Sequence, residues 1–208
     1  MKHYTYVNEK IEVTFDQRKC CHATHCFKEL PDVFDGDFDP PIRPDNASVE
    51  EIIRVVEMCP SSALTYNRLD GEKNEIPLNQ NSAKLFNRGP LLLKGDFEVE
   101  GDGTLTRIAL CRCGESNSKP YCDGSHRKVE FSGPPQVDAD DCNDFSNEGR
   151  VTFKPIENGP ILFSGKMLIS KSNGEVLYCR ESGAICRCGA SNSKPFCDGS
   201  HQSMDFKT

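Results

Sequence analysis

A sixteen-residue segment, CRCGESNSKPYCDGSH at residues 111–126, returns at residues 186–201 as CRCGASNSKPFCDGSH. Only Glu115/Ala190 and Tyr121/Phe196 differ, so three Cys and one His recur at the same spacing. A hydrophobic core does not demand such identity, because cores accept volume-conserving exchanges. Side chains that ligate something do demand it. The repeat therefore predicts two metal sites, one from Cys111, Cys113, Cys122 and His126 and one from Cys186, Cys188, Cys197 and His201. The chain as a whole is a thin source of core: 208 residues, 36 % apolar, no Trp, 16 Gly and 13 Pro. Internal repetition points to two or three small units, and ligation is expected to help support them.

Three chemistries compete for the repeated set. Twelve Cys could form disulfides, but three per motif leave one unpaired and give the recurring His no role. Zinc accepts a Cys3His set tetrahedrally. A 2Fe-2S cluster, with two Cys on one iron and Cys plus His on the other, satisfies the same residues. Cys at i and i+2 aims two thiolates at one centre, and Cys122 to His126 spans one turn. A loop leading into a helix from about Asp123 is expected, its N-terminal amides facing the site.

The full pattern, C-x-C-x2-S-x3-P-x-C-D-G-S-H, resembles the CDGSH iron-sulfur (NEET) family at its fixed positions in both copies. That resemblance implies a 2Fe-2S cluster on each set of three Cys and one His. Asp123/Asp198 and Ser125/Ser200 match the family's supporting positions around the cluster. It also implies a small cluster-binding lobe under a β-cap, paired about a two-fold axis. Here the pair would form within one chain, as an intramolecular pseudo-dimer. Arg112 and Arg187 lie between ligands and either donate to cluster sulfides or face solvent.

Towards the N-terminus, Tyr4, Tyr6, Ile11, Val13 and Phe15 alternate around Asn8-Glu9 and read as a β-hairpin. Ser48 and Glu51 form a capping box for a helix with Val49, Ile52, Ile53 and Val56 on one face, which must stop by Pro60. Ala63, Leu64 and Tyr66 read as a closing strand. Cys20, Cys26 and Cys59-Pro60 give C-x5-C and a distant C-P, with Ala23 where a bacterial ferredoxin has its second Cys. Such a set holds a 3Fe-4S cluster, or a 4Fe-4S cluster completed by another residue. KCCHATHCFKELPDVFD followed by MCPSSALTY resembles the divergent mono-cluster ferredoxin family over residues 4–66. In that family a His stands two places after the first Cys, which makes His22 the candidate fourth ligand. Cys21 and His25 are further candidates.

Organisation follows from these readings. Residues 1–66 form a ferredoxin-like mono-cluster domain, and residues 67–82, polar and without periodicity, form a linker. Residues 83–132 and 150–208 are the two CDGSH units, joined by a Pro/Asp/Asn-rich connector at 133–149. The class is α+β with small irregular domains. From Gly89 to Cys111 is 22 residues and from Gly159 to Cys186 is 27, which places a five-residue insertion in a hairpin near Ser172-Asn173-Gly174. Cys142 and Cys179 fit no ligand set and read as buried or idle thiols, with redox switches as the alternative.

The net charge is −7, with 7 Lys/Arg against 12 Asp/Glu in residues 1–66, which argues against nucleic acid and anionic membranes as partners. No segment has the apolar length of a membrane span or signal peptide, so a cytoplasmic chain with reduced thiols is expected. No Ser/His/Asp set, phosphate loop or nucleotide fingerprint is present, so no catalytic reaction is expected. The expected function is one-electron transfer with a redox partner protein by a monomeric three-cluster chain. Cluster storage, cluster delivery and redox or pH sensing are the alternative class, and a structural zinc protein is a third.

The His ligand has a consequence of its own. Imidazole is neutral where thiolate is anionic, so its presence raises the potential relative to all-Cys clusters. If its free ring nitrogen reaches solvent, reduction couples to protonation. Potentiometric titration across neutrality is expected to show potentials that fall as pH rises, and pH-independent potentials would contradict this.

Overall fold

The computed structural model describes residues 3–131 and 139–208. It divides into two units, Met1–Ile76 and Pro77–Thr208. Among the described residues no helix is long and apolar enough to cross a membrane.

In the first unit, β1 (His3–Val7) and β2 (Ile11–Asp16) form the expected antiparallel hairpin, with Val7 opposite Glu12. The Asn8 side chain accepts the amides of Lys10 and Ile11, both at 2.9 Å, and so closes the turn. β3 (Leu64–Arg68) adds to the other edge of β2, placing Leu64 opposite Phe15. A short helix α1 (His25–Glu29) and the longer α2 (Val49–Glu57) complete the unit. The capping box on α2 is complete: the Glu51 amide donates to Ser48 Oγ and the Ser48 amide donates to Glu51 Oε2. Val49, Ile52, Val55 and Val56 are buried and Ile53 partly so, giving a wider apolar face than expected. They pack with Ile11, Val13, Phe34 and Leu64 into one core.

The second unit is all β apart from short 3-10 turns among its described residues. It contains β4 (Ser82–Leu85), β5 (Leu91–Val99), β6 (Gly103–Leu110), β7 (Val151–Pro155), β8 (Ile161–Lys171) and β9 (Val176–Ile185). β5–β6 and β8–β9 are the corresponding long hairpins of the two repeats. β4 pairs antiparallel with β5 of its own repeat and parallel with β8 of the other. β7 does the converse, antiparallel with β8 and parallel with β5. Exchanging the repeats therefore exchanges the pairings. Phe97, Phe153 and Phe163, one from each of β5, β7 and β8, pack edge-on and tilted in the shared core with centroids 5.7 and 6.2 Å apart.

The five-residue insertion lies where the sequence placed it. β8 and β9 have 11 and 10 residues against 9 and 8 in β5 and β6, and the turn between them is one residue longer. This longer hairpin receives the end of the connector. The Asp140 amide donates to the Leu177 carbonyl at 3.0 Å, and the Cys179 amide donates to the Asp140 carboxylate. Cys142 and Cys179 are joined by a disulfide, which corrects their reading as idle thiols. Their separation of 37 residues gave no pairing signal, because it takes the folded connector to bring them together. Residues 133–138 of the expected connector, and residue 132 at the end of the expected first CDGSH unit, lie outside the described residues.

Asn81 marks the point where the two repeats interlock. It is fully buried, accepts the Asp96 amide at 2.8 Å, and donates to the carbonyls of Gly149 and Lys166 at 2.5 and 3.2 Å. Gly95 is required beside it, since any Cβ there would run into the Asn81 side chain. Asn81→Ala would strand several buried polar groups, each costing about 1–3 kcal/mol. Urea unfolding is expected to show a loss of about 3 kcal/mol in this unit, and an unchanged midpoint would contradict the interlock.

Candidate metal centres

Each motif begins where its hairpin ends. The chain leaves β6 at Leu110, loops out, and returns so that the Cys111 amide donates to the Pro120 carbonyl at 2.9 Å and the Cys122 amide to Ala109 at 2.8 Å. The second motif repeats this with Cys186 to Pro195 and Cys197 to Ala184, at the same two distances. Inside the loop, Ser116 Oγ donates to the Tyr121 carbonyl at 2.6 Å and accepts the Ser118 amide at 3.0 Å. Lys119 Nζ donates to the Ser116 carbonyl at 2.7 Å. Ser191 and Lys194 make the same bonds in the second copy. These Ser and Lys side chains, unassigned in the sequence reading, act as the loop's internal bracing. The two variable positions also have local causes. Tyr121 Oη donates to Asp102 at 2.7 Å, whereas Phe196 packs edge-on against Tyr178.

The bracing brings all eight expected ligands together, in pairs. Cys111 and Cys113 sulfurs lie 3.8 Å apart, and Cys122 Sγ lies 3.2 Å from His126 Nδ1. In the second motif the distances are 3.6 Å for Cys186 and Cys188 and 3.3 Å for Cys197 and His201. Two sulfurs on one tetrahedral metal, each at about 2.3 Å, are roughly 3.7 Å apart. Each Cys–Cys pair therefore fits one metal ion, and each Cys–His pair is close enough to share one. Among the described residues, the group of three donors lying within 4.8 Å of one another is Asp140, Cys142 and Cys179, whose two sulfurs are bonded to each other. The four ligands of a motif are thus drawn as two half-sites, with no convergence on a single point.

The electrostatics suit ligation. In the Cys111/Cys113 pair, the Cys113 S–H bond lowers the Cys111 pKa against the cost of burial, helped by the amides of Ser116, Gly114 and Cys113. Burial, then Arg127, lowers the His126 pKa while Asp123 opposes, which favours the neutral imidazole that a metal requires. Asp123 is buried enough to resist ionising. Hydrogen bonds from Ser125 and the Asn117 and Ser125 amides outweigh that and hold its carboxyl at about 2. It thus remains an anion that ties the loop to the turn before His126. The helix expected from Asp123 is absent. Gly124 and Gly199 take left-handed backbone, and only 3-10 turns follow, Ser125–Arg127 and Ser200–Gln202. The amides of Gly124 and Gly199 donate to the sulfurs of Cys122 and Cys197, each at 3.4 Å.

The two motifs sit back to back. A Cβ on Gly114 would strike the Cys188 carbonyl, and one on Gly189 would strike the Cys113 carbonyl. Both glycines have positive φ, at 87° and 81°, so the contact needs glycine twice over. Arg112 and Arg187 are buried in this region, each 3 % exposed. Arg112 Nη1 donates to the Phe86 and Gly89 carbonyls at 2.7 and 3.2 Å. Arg187 donates through Nε to Gly159 at 2.8 Å and through Nη2 to Ile156. The solvent-facing alternative for these residues is thereby excluded.

In the first unit, buried Asp16 caps a 3-10 turn (Gln17–Lys19) by accepting the Arg18 amide, pairs with Lys19 Nζ at 3.1 Å, and so delivers Cys20. Cys26 comes from α1 and Cys59 from the residues after α2. With Cys21, His22 and Ser61 they line a cavity of about 180 Å³. His22 Nδ1 lies 4.0 Å from Cys20 Sγ; His25 also faces the cavity, and Cys21 is buried. Burial, then the neighbouring Cys59 and Cys20, push the Cys26 thiol up to about 11; burial and Cys59 do the same to Cys21. Thiols that crowd one another in this way suit a site whose counter-charge is a metal.

Comparison with known proteins agrees with this geometry. Residues 6–69 match the family described as a divergent 4Fe-4S mono-cluster, and residues 88–127 and 158–202 match the iron-binding zinc finger of CDGSH type. Over 61 residues, 29 % of this chain, the sequence is 36 % identical to the uncharacterized protein YjdI of Escherichia coli K12 and covers 80 % of it. The YjdI protein of Escherichia coli O157:H7 matches to the same extent. No solved structure matches significantly. Ligand sets, loop and comparisons converge: the chain belongs to the divergent 4Fe-4S mono-cluster family at its N-terminus and, through two tandem motifs, to the iron-binding CDGSH family.

Proposed function

We propose that this iron-sulfur protein carries three clusters and passes electrons singly to or from a redox partner protein. Each CDGSH motif holds a 2Fe-2S cluster, through Cys111, Cys113, Cys122 and His126 and through Cys186, Cys188, Cys197 and His201. The observation that carries this reading is the division of every ligand set into two pairs, each at the spacing of one tetrahedral metal. A lone zinc would gather all four donors round one point. Cys20, Cys26 and Cys59 hold a 3Fe-4S cluster, or a 4Fe-4S cluster with His22 as fourth ligand. The exchanged pairing of β4 and β7 supports reading the repeats as an intramolecular version of the CDGSH dimer. The role assigned is that of a carrier in the cytoplasm, without a catalytic reaction of its own.

A second reading, cluster storage or delivery, is favoured by one observation. His126 and His201 are partly exposed, whereas Cys111, Cys113, Cys186 and Cys188 are buried, so acid reaches the imidazole first. Protonated imidazole cannot ligate, and its half of the site would loosen.

The holo-protein, mixed with a reduced ferredoxin reductase or with an apo-ferredoxin, separates the two. Electron transfer is expected to be complete while the clusters stay on this chain, and faster cluster transfer than reduction would favour delivery. In the first unit, a 4Fe-4S cluster gives its electron paramagnetic resonance signal only when reduced, and His22→Ala is expected to replace that signal with the 3Fe-4S signal of the oxidised protein. An intact 4Fe-4S signal in that variant, with its loss in Cys21→Ala, would move the fourth ligand to Cys21.

A further inference from the structure

The two CDGSH motifs are nearly identical in sequence, yet their arginines are used differently. Arg187 places its Nε and Nη2 edge, the parallel fork of the guanidinium, on the carbonyls of Gly159 and Ile156. Arg112 hangs from the equivalent carbonyls of Phe86 and Gly89 by Nη1 alone. Its own fork, Nε and Nη2, is buried and has no hydrogen-bond partner among the described residues. Leaving buried donors of a cation unpaired costs about 1–3 kcal/mol for each group and more when charged. An acceptor is called for, and the Phe131 ring 5.6 Å from the guanidinium does not supply one for the fork.

The charges indicate where that acceptor is. Among the thiols, Arg112 feels first Cys186 of the second motif and then Cys113 of its own, while Arg187 feels Cys111 of the first. Each arginine therefore acts across the repeat boundary, in the region where Gly114 meets Cys188 and Gly189 meets Cys113. Only Arg112 brings a free fork as well as a charge.

We infer that Arg112 is a positioning residue for the cluster of the second motif, its Nε–H and Nη2–H donating to thiolate or sulfide sulfur near Cys186. This rests on the 2Fe-2S reading above. Reduction adds one electron, and so one negative charge, to the cluster. A cation with two hydrogen bonds to sulfur stabilises the reduced form more than the oxidised one and raises the potential. The first motif's cluster receives from Arg187 the charge without the fork. The two clusters are consequently unequal, the second being the easier to reduce and the one to accept an electron first.

The test is a redox titration of the full-length holo-protein, followed by visible absorption and electron paramagnetic resonance. His126→Cys lowers the potential of the first motif's cluster and changes its spectrum, so it identifies which potential belongs to which motif. Wild type is expected to show two resolved 2Fe-2S potentials, the higher belonging to the second motif. Arg112→Lys, which keeps the charge and loses the fork, is expected to shift that potential downward. Arg112→Gln is expected to shift it further and to speed loss of that cluster about 10-fold. A purely structural role would lower the unfolding temperature of both variants and leave the potentials unchanged, and that result would overturn the inference. So would a shift confined to the first motif's cluster. If Arg112→Gln fails to load, Arg112→Lys decides alone. Absence of 2Fe-2S spectra from wild type would instead refute the underlying cluster reading.

Discussion

The second unit depends on a balance of charge. A thiolate in a protein interior is costly unless a cation lies against it. Here Cys111, Cys113, Cys122, Cys186 and Cys188 are all buried within one sheet-bound unit, with two buried arginines among them. On the cluster reading proposed above, iron supplies the counter-charge at each ligand pair, and the buried arginines add positive charge between the sites. Unpaired, the same thiols would repel one another as they ionised. The core formed by β4 to β9 thus does the work of holding ligands, while the ligands return part of the stability that so small a core cannot supply.

Symmetry is how the chain reaches that arrangement with few residues. Two short strands, β4 and β7, each join their own hairpin to that of the other repeat. Phe97, Phe153 and Phe163, from β5, β7 and β8, meet in the middle of the shared core. The same exchange presses the two Cys-containing loops together through Gly114 and Gly189. Within this symmetric frame the departures are local: a lengthened β8–β9 hairpin, a disulfide that fastens the connector to it, and one arginine with a free fork.

Local and repeated features could be read from the sequence. The hairpin around Asn8, the capping box at Ser48, the ligand sets and the site of the five-residue insertion all express themselves within a few residues or by self-comparison. Features set by tertiary contacts could not. Nothing local marks β4 and β7 as exchanged strands, and nothing in Arg112 or Arg187 distinguishes burial from exposure. The helix expected after Asp123 does not form, for a local reason. The Gly at 124 and 199 favours a left-handed residue there, so the Asp carboxylate, and not a helix N-terminus, satisfies the following amides. The Cys142–Cys179 pairing was illegible for the reason all disulfide pairings are, since connectivity is a property of the fold.

The central claim is that each CDGSH motif holds two metals, one per ligand pair. Mössbauer spectroscopy of protein made anaerobically with iron-57 addresses it directly. The account predicts, for the CDGSH portion, oxidised 2Fe-2S clusters with two iron environments in equal amount, one ligated by sulfur alone and one also by nitrogen. Motifs filled with zinc, or holding a single isolated iron, would contradict it.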